Sequence, residues 1–65
     1  MTIEEGYREM TSAVRATGYI LLELGYENIE RIMLHEAEMH ERNLRNQGIE
    51  PIEVKNPLNE NSTNL

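Results

Sequence analysis

Apolar residues return every three or four positions through the N-terminal third of this chain. Ile3, Tyr7, Met10, Val14 and Leu21 fall within an arc of about 60° on a helical wheel. Thr17 and Gly18 sit at the edges of that arc, and Glu5, Arg8, Ser12, Arg15 and Glu23 lie away from it. Thr2-Ile3-Glu4-Glu5 fits a capping box, in which the Thr2 hydroxyl and the Glu5 carboxylate each accept from the other's backbone amide. The pattern predicts a helix over about residues 3 to 24.

A second stripe follows. Ile29, Ile32, Met33, Ala37, His40 and Leu44 share one face and predict a helix over about residues 29 to 47. Gly48 supplies a stop, Ile49 a hydrophobic residue after it, and Pro51 a block to resumption. Arg42 and Arg45 sit in the last turns, where cations favour the helix dipole.

Gly25 decides how the stripes are joined. As a left-handed residue it ends the first helix, lets Tyr26 pack back on Leu21, and leaves Asn28 to cap the second. The alternative is one long kinked helix in a coiled-coil assembly, since a glycine inside a helix costs only about 1 kcal/mol relative to alanine. The expected fold is all-α: a two-helix hairpin over residues 1–48 that assembles into a homo-oligomeric bundle. Residues 49–65 form an extended to disordered tail. Two prolines disfavour a paired strand over 50–57, and Asn-rich 58–65 lacks the apolar content to fold alone. Ile49, Ile52 and Val54 are candidates to pin residues 49–55 against a helix.

Composition strengthens the case for association. A chain of 65 residues with no cysteine, tryptophan or phenylalanine, three tyrosines and four methionines has little from which to build a core. A dimer or higher homo-oligomer is the simplest remedy. The main stripe (Ile3, Tyr7, Met10, Val14, Leu21, Ile29, Ile32, Met33, Leu44) is its candidate interface. A second apolar patch, Tyr19, Leu22 and Tyr26, lies off that stripe, as does Leu34, and suits self-association or a foreign protein partner.

The net charge of −6 comes from twelve glutamates against six Lys or Arg. It disfavours direct nucleic-acid contact and anionic membranes. It would suit a basic protein partner or mimicry of nucleic acid, beside the plainer role of solubility. The longest apolar run, Tyr19 to Leu22, is too short to span a bilayer, and no signal peptide is read at the N-terminus. Cytoplasmic residence is the default expectation.

Candidate chemistry is sparse. His35-Glu36-Ala37-Glu38-Met39-His40 looks at first like a zinc-protease helix, but its histidines are five apart where that motif needs four. Glu36 and His40 are one turn apart within the apolar arc and form a candidate buried polar pair. They could pair with each other, or bridge to an Arg or Tyr across a helical interface and so fix register. A solvated pair, if the stripe is narrower, and half of a metal site completed by symmetry are the other readings. The metal reading lacks a second inward carboxylate and departs from the Glu-x-x-His spacing of di-metal bundles. Ser12 has no histidine near it in sequence, and the glycines form no phosphate loop. No cofactor and no catalytic residue is expected.

The sequence therefore points to a small, acidic, non-enzymatic interaction or regulatory protein that self-associates and binds a partner protein. The alternatives are a metal-binding bundle using Glu36 and His40, and an oligomer that sequesters a small ligand between subunits near Tyr19, Tyr26 and Arg8 or Arg15.

Overall fold

A computed structural model describes residues 1–57 of the 65. It shows two antiparallel helices, α1 (Ile3–Leu24) and α2 (Glu27–Asn46), packed against each other. An extended segment follows α2, and the described residues contain no strand. The tail expected over 58–65 lies outside the described residues.

Local chemistry sets the helix ends. At the start of α1 the Thr2 hydroxyl accepts from the Glu5 amide and the Glu5 carboxylate accepts from the Thr2 amide, both at 3.1 Å. These bonds satisfy two of the amide groups that a helix leaves unpaired. Gly25 takes φ 87°, in the left-handed region where only glycine is unstrained. The Gly25 amide donates to the Leu22 carbonyl (3.1 Å) and the Tyr26 amide to the Leu21 carbonyl (3.0 Å), the double bond pattern of a Schellman cap. The same pattern recurs at Gly48 (φ 79°), where Gly48 donates to Arg45 and Ile49 to Leu44, both at 2.9 Å. Gly25 thus turns the chain, and the single long helix is ruled out.

The second helix begins two residues earlier than the sequence predicts. Tyr26, with no side-chain capping bond, occupies the N-cap, and Asn28 lies inside the first turn. The physical reason is economy of the turn: the Schellman bonds finish at Tyr26, so α2 starts at once. Glu27 and Glu30 then place carboxylates in the first turn, where the dipole favours them. Asn28 instead accepts a hydrogen bond from Arg31 at 3.1 Å.

The packing face of α1 is rotated from the stripe that hydrophobicity outlines. Thr11 and Gly18 are its buried residues, flanked by half-buried Tyr7, Val14 and Leu22. Ile3 is 92% exposed, and Met10 is also classed as exposed. On α2 the buried line is Ala37, Glu41 and Leu44, so Ile29 and Ile32 stay exposed and Met33 is half-buried. Small side chains explain the rotation, because they let the helix backbones approach. A Cβ added at Gly18 would sit 2.8 Å from Leu34 Cγ and 3.4 Å from the Leu34 backbone nitrogen. Thr11 is tolerated there because its hydroxyl donates to the Tyr7 carbonyl at 2.8 Å and leaves its methyl to pack. Leu34, off-face on hydrophobic grounds, is therefore the residue that fills the Gly18 notch.

Gly18→Val is expected to lower stability by about 1–3 kcal/mol, the usual range for overpacking. Leu34→Ala in the same chain should recover part of that loss in urea denaturation. A neutral Gly18→Val would mean that the helices are not in close contact at this point.

The segment after Gly48 returns along the hairpin. Ile49, Pro51, Ile52 and Val54 are half-buried, and the Arg8 guanidinium donates to the Glu50 carbonyl at 2.6 Å. Residues 50–54 thus lie beside the Arg15, Tyr19, Glu41 and Arg45 side chains and cover one face of the helix pair.

Candidate functional site

Two polar clusters stand where the helices meet. The first joins Arg15 of α1 to Glu41 of α2. Arg15 Nε donates to Glu41 Oε2 at 2.9 Å, and Arg15 Nη2 donates to Glu41 Oε1, so the pair is bidentate. The two side chains are 19% and 12% exposed. The hydrogen bond to Glu41 raises the Arg15 pKa above its ordinary value, against the opposing effect of burial, and the Glu41 charge adds to the rise. Arg15 also stands over the Tyr19 ring, with its guanidinium carbon 5.7 Å from the centroid.

The sequence singles out Arg15 beside Tyr19 as a possible pocket residue but does not pair it with Glu41. Arg15 was placed off the apolar arc, and Glu41 was not considered. A signal was present: Leu34, Ala37, Glu41 and Leu44 follow each other by threes and fours, and so do Thr11, Arg15 and Gly18. Opposite charges on two such lines point to a pair across the interface.

The second cluster is centred on His40. Its Nδ1 lies 2.6 Å from the Tyr7 hydroxyl, and the two rings meet edge-on with centroids 5.3 Å apart. The Tyr7 hydroxyl can donate to Nδ1 or accept from it, according to the imidazole tautomer. Asn43 Nδ2 makes a long contact to the same hydroxyl at 3.4 Å. Glu36 Oε2 is 3.7 Å from His40 Nε2, beyond hydrogen-bond reach, and the Glu36 side chain is 51% exposed.

Glu36 and His40 are therefore not a buried polar pair within the chain. His40 reaches Tyr7 across the helix interface, and Glu36 stands in solvent beside it. The buried ionic pair is Arg15–Glu41.

A cleft of about 350 Å³ runs between the helix pair and the extended segment, lined by Arg15, Tyr19, Glu41 and Arg45 on the helices and by residues 50–54. Two of its charged groups, Arg15 and Glu41, are committed to each other. Both Glu41 oxygens face Arg15, and Arg8 is engaged by the Glu50 carbonyl. Neither Arg15 nor Glu41 is placed to exchange a proton with a bound molecule. Tyr26 lies elsewhere, exposed at the hairpin turn in a shallow depression with Gly25, Glu27, Asn28 and Ile29. Tyr19, Leu22 and Tyr26 thus do not form one open patch: Tyr19 and Leu22 are half-buried and only Tyr26 is exposed.

Neither a family model, nor a curated protein, nor a solved structure matches this chain. Its own geometry must carry the functional reading.

Among the described residues no three His, Cys, Asp or Glu side chains gather as a metal site. Glu36 and His40 could supply two donors at most, and His35 is exposed on a different side of α2, about 140° around the helix from His40. Every buried side-chain polar atom among the described residues has a hydrogen-bond partner. No described helix is long and apolar enough to cross a membrane.

What the hairpin does present is apolar surface. Ile3, Met10, Ile20 and Leu24 of α1 are exposed, as are Ile29, Ile32 and Met39 of α2. Of the hydrophobic side chains among the described residues only Ala37 and Leu44 are fully buried. Tyr7, Val14, Leu21 and Met33, expected at an interface, lie between these two sets as half-buried residues.

Proposed function

We propose that this chain is a small non-enzymatic interaction protein, whose working part is the apolar face that its own helices and C-terminal segment leave uncovered. One observation carries the reading: more large apolar side chains stand exposed on the two helices than are buried between them. Exposed patches beyond a few hundred Å² mark binding surfaces on soluble proteins. The polar clusters fit the same role. Arg15–Glu41 and Tyr7–His40 join the two helices and so orient the face, rather than opening toward a substrate.

The acidic balance adds selectivity. With a charge of −6 and glutamates exposed at positions 9, 23, 27 and 38, the remaining surface favours a basic partner and repels nucleic acid. A regulatory role by protein capture follows from these two surfaces together.

Native mass spectrometry tests this reading. The expected spectrum contains protein-only species, with no stoichiometric metal and no small molecule, and is unchanged by chelator. A tightly held transition metal lost on His40→Ala, or a co-purifying ligand lost on Tyr19→Ala, would overturn it in favour of a metal-binding or ligand-sequestering protein.

A further inference from the structure

The exposed apolar side chains are ordered along both helices. On α1, Ile3, Met10, Thr17 and Leu24 recur every seven residues, with Ala13 and Ile20 between them. On α2, Ile29, Ile32, Glu36, Met39 and Asn43 are spaced by threes and fours. Each helix therefore carries a second seam of coiled-coil spacing, next to the seam that closes the hairpin.

The two seams lie on the same side of the hairpin. Helical periodicity places the α1 seam about 120° around from the Thr11/Gly18 line, and Arg8, Arg15 and Tyr19 on the opposite flank. On α2 the same periodicity puts Ile32, Met39 and Asn43 on one flank and Arg45 on the other. Two contacts agree with this placement: Asn43 reaches Tyr7 on the seam side, whereas Arg15, Tyr19 and Arg45 line the cleft under the extended segment. One face of the hairpin is covered by its own chain, and among the described residues nothing covers the other.

We infer that this second face is occupied by a second copy of this chain, packed face to face as an antiparallel four-helix bundle; this rests on the interaction reading above. No described residue covers this face: residues 49–54 lie on the far side, and the sequence beyond residue 57 carries only Leu58 and Leu65 as apolar groups. Area supports a pair. A helix of 22 residues is about 33 Å long and two helices are about 20 Å across, giving about 650 Å² per copy. Two copies would bury about 1,300 Å², within the range of stable specific interfaces. Charge also supports it. The α1 seam has no ionisable side chain, with Glu9 at its outer edge, and the α2 seam has one, Glu36, whereas Glu23 and Glu38 point away. A second copy also remedies the poverty of a core with only Ala37 and Leu44 fully buried. Because each copy carries −6, association should tighten as added salt screens the outer faces.

Ala13 provides the test. It is exposed within the chain, and glutamate is a good helix former, so Ala13→Glu leaves an isolated hairpin intact. In the pair it places two carboxylates in the seam. The expected wild-type mass by sedimentation is twice 7.6 kDa, with a melting temperature that rises with protein concentration. Ala13→Glu should weaken the pair at least about 100-fold, while Ser12→Glu, on the opposite flank, leaves it paired. If Ala13→Glu fails to fold where Ser12→Glu folds and pairs, the outcome has the same meaning. A wild-type chain that is monomeric or of higher order, or an Ala13→Glu variant that still pairs, overturns the inference. A folded protein-only monomer sinks the pair but leaves the interaction reading standing, whereas a bound metal or ligand sinks that reading instead.

Discussion

Replacing Arg15 by alanine is expected to destabilise the fold by about 2–3 kcal/mol, read as a fall in the urea midpoint at unchanged slope. The loss comes from the partner left behind. Glu41 is largely buried with both oxygens on Arg15, so removing the guanidinium strands a carboxylate in the cleft between the helix pair and the extended segment. Breaking a fully buried pair costs about 3–5 kcal/mol, and the residual exposure of both side chains lowers that figure. Tyr19 would also lose the cation above its ring.

Removing both partners should behave differently. Arg15→Met with Glu41→Leu leaves no uncompensated charge, and apolar replacement of such a pair is commonly neutral or stabilising. The double variant should therefore recover the stability that Arg15→Ala loses, and the salt bridge would then be a device for register rather than for strength. The pH dependence has a definite sign. The Arg15 pKa is raised on folding, so its contribution is fully present below the ordinary guanidinium value and is lost only as pH rises through the folded value. The Arg15→Ala penalty should not fade on mild alkalinisation to pH 9. Fading there would mean that another group supplies the stabilisation.

Both ends of α1 and the end of α2 were legible in the sequence because capping is local, whereas the start of α2, expected at Asn28, lies at Tyr26. Thr2 and Glu5 are three residues apart, and Gly25 and Gly48 each act on carbonyls within a turn of themselves. The rotation of the helices was not legible from apolar content. Ile3 and Met10 weigh heavily on a hydrophobic wheel, yet close packing is decided by where the backbones can approach, at Thr11 and Gly18. The same error hid the Arg15–Glu41 pair, since a charge reads as solvent-facing unless its partner on the other helix is considered with it. His40 was half legible. A bridge to a tyrosine across an interface was one of the expected arrangements, but Glu36, a turn away, turned out to be exposed. The Ile29 and Ile32 stripe was identified correctly as apolar, but it faces away from the hairpin interface.

Leu44→Ala is expected to have the largest effect of any single truncation, about 3 kcal/mol or more. Leu44 is the largest side chain fully buried in the hairpin. It also closes α2, because its carbonyl accepts from the Ile49 amide in the Gly48 cap, and Ile49 starts the segment that covers Arg15 and Glu41. A cavity at Leu44 therefore loosens the core and the anchor of that segment together. A domain of this length has about 3–10 kcal/mol of stability in all, so the variant should melt at least about 12 °C lower, or not fold at all. Because Leu44 acts within one chain, the difference from wild type should stay constant across protein concentrations, whereas loss of a seam residue should weaken the concentration dependence itself. A loss below about 1 kcal/mol would show that the helices collapse onto the gap, and that the Arg15–Glu41 pair and the C-terminal segment hold the hairpin without its central leucine.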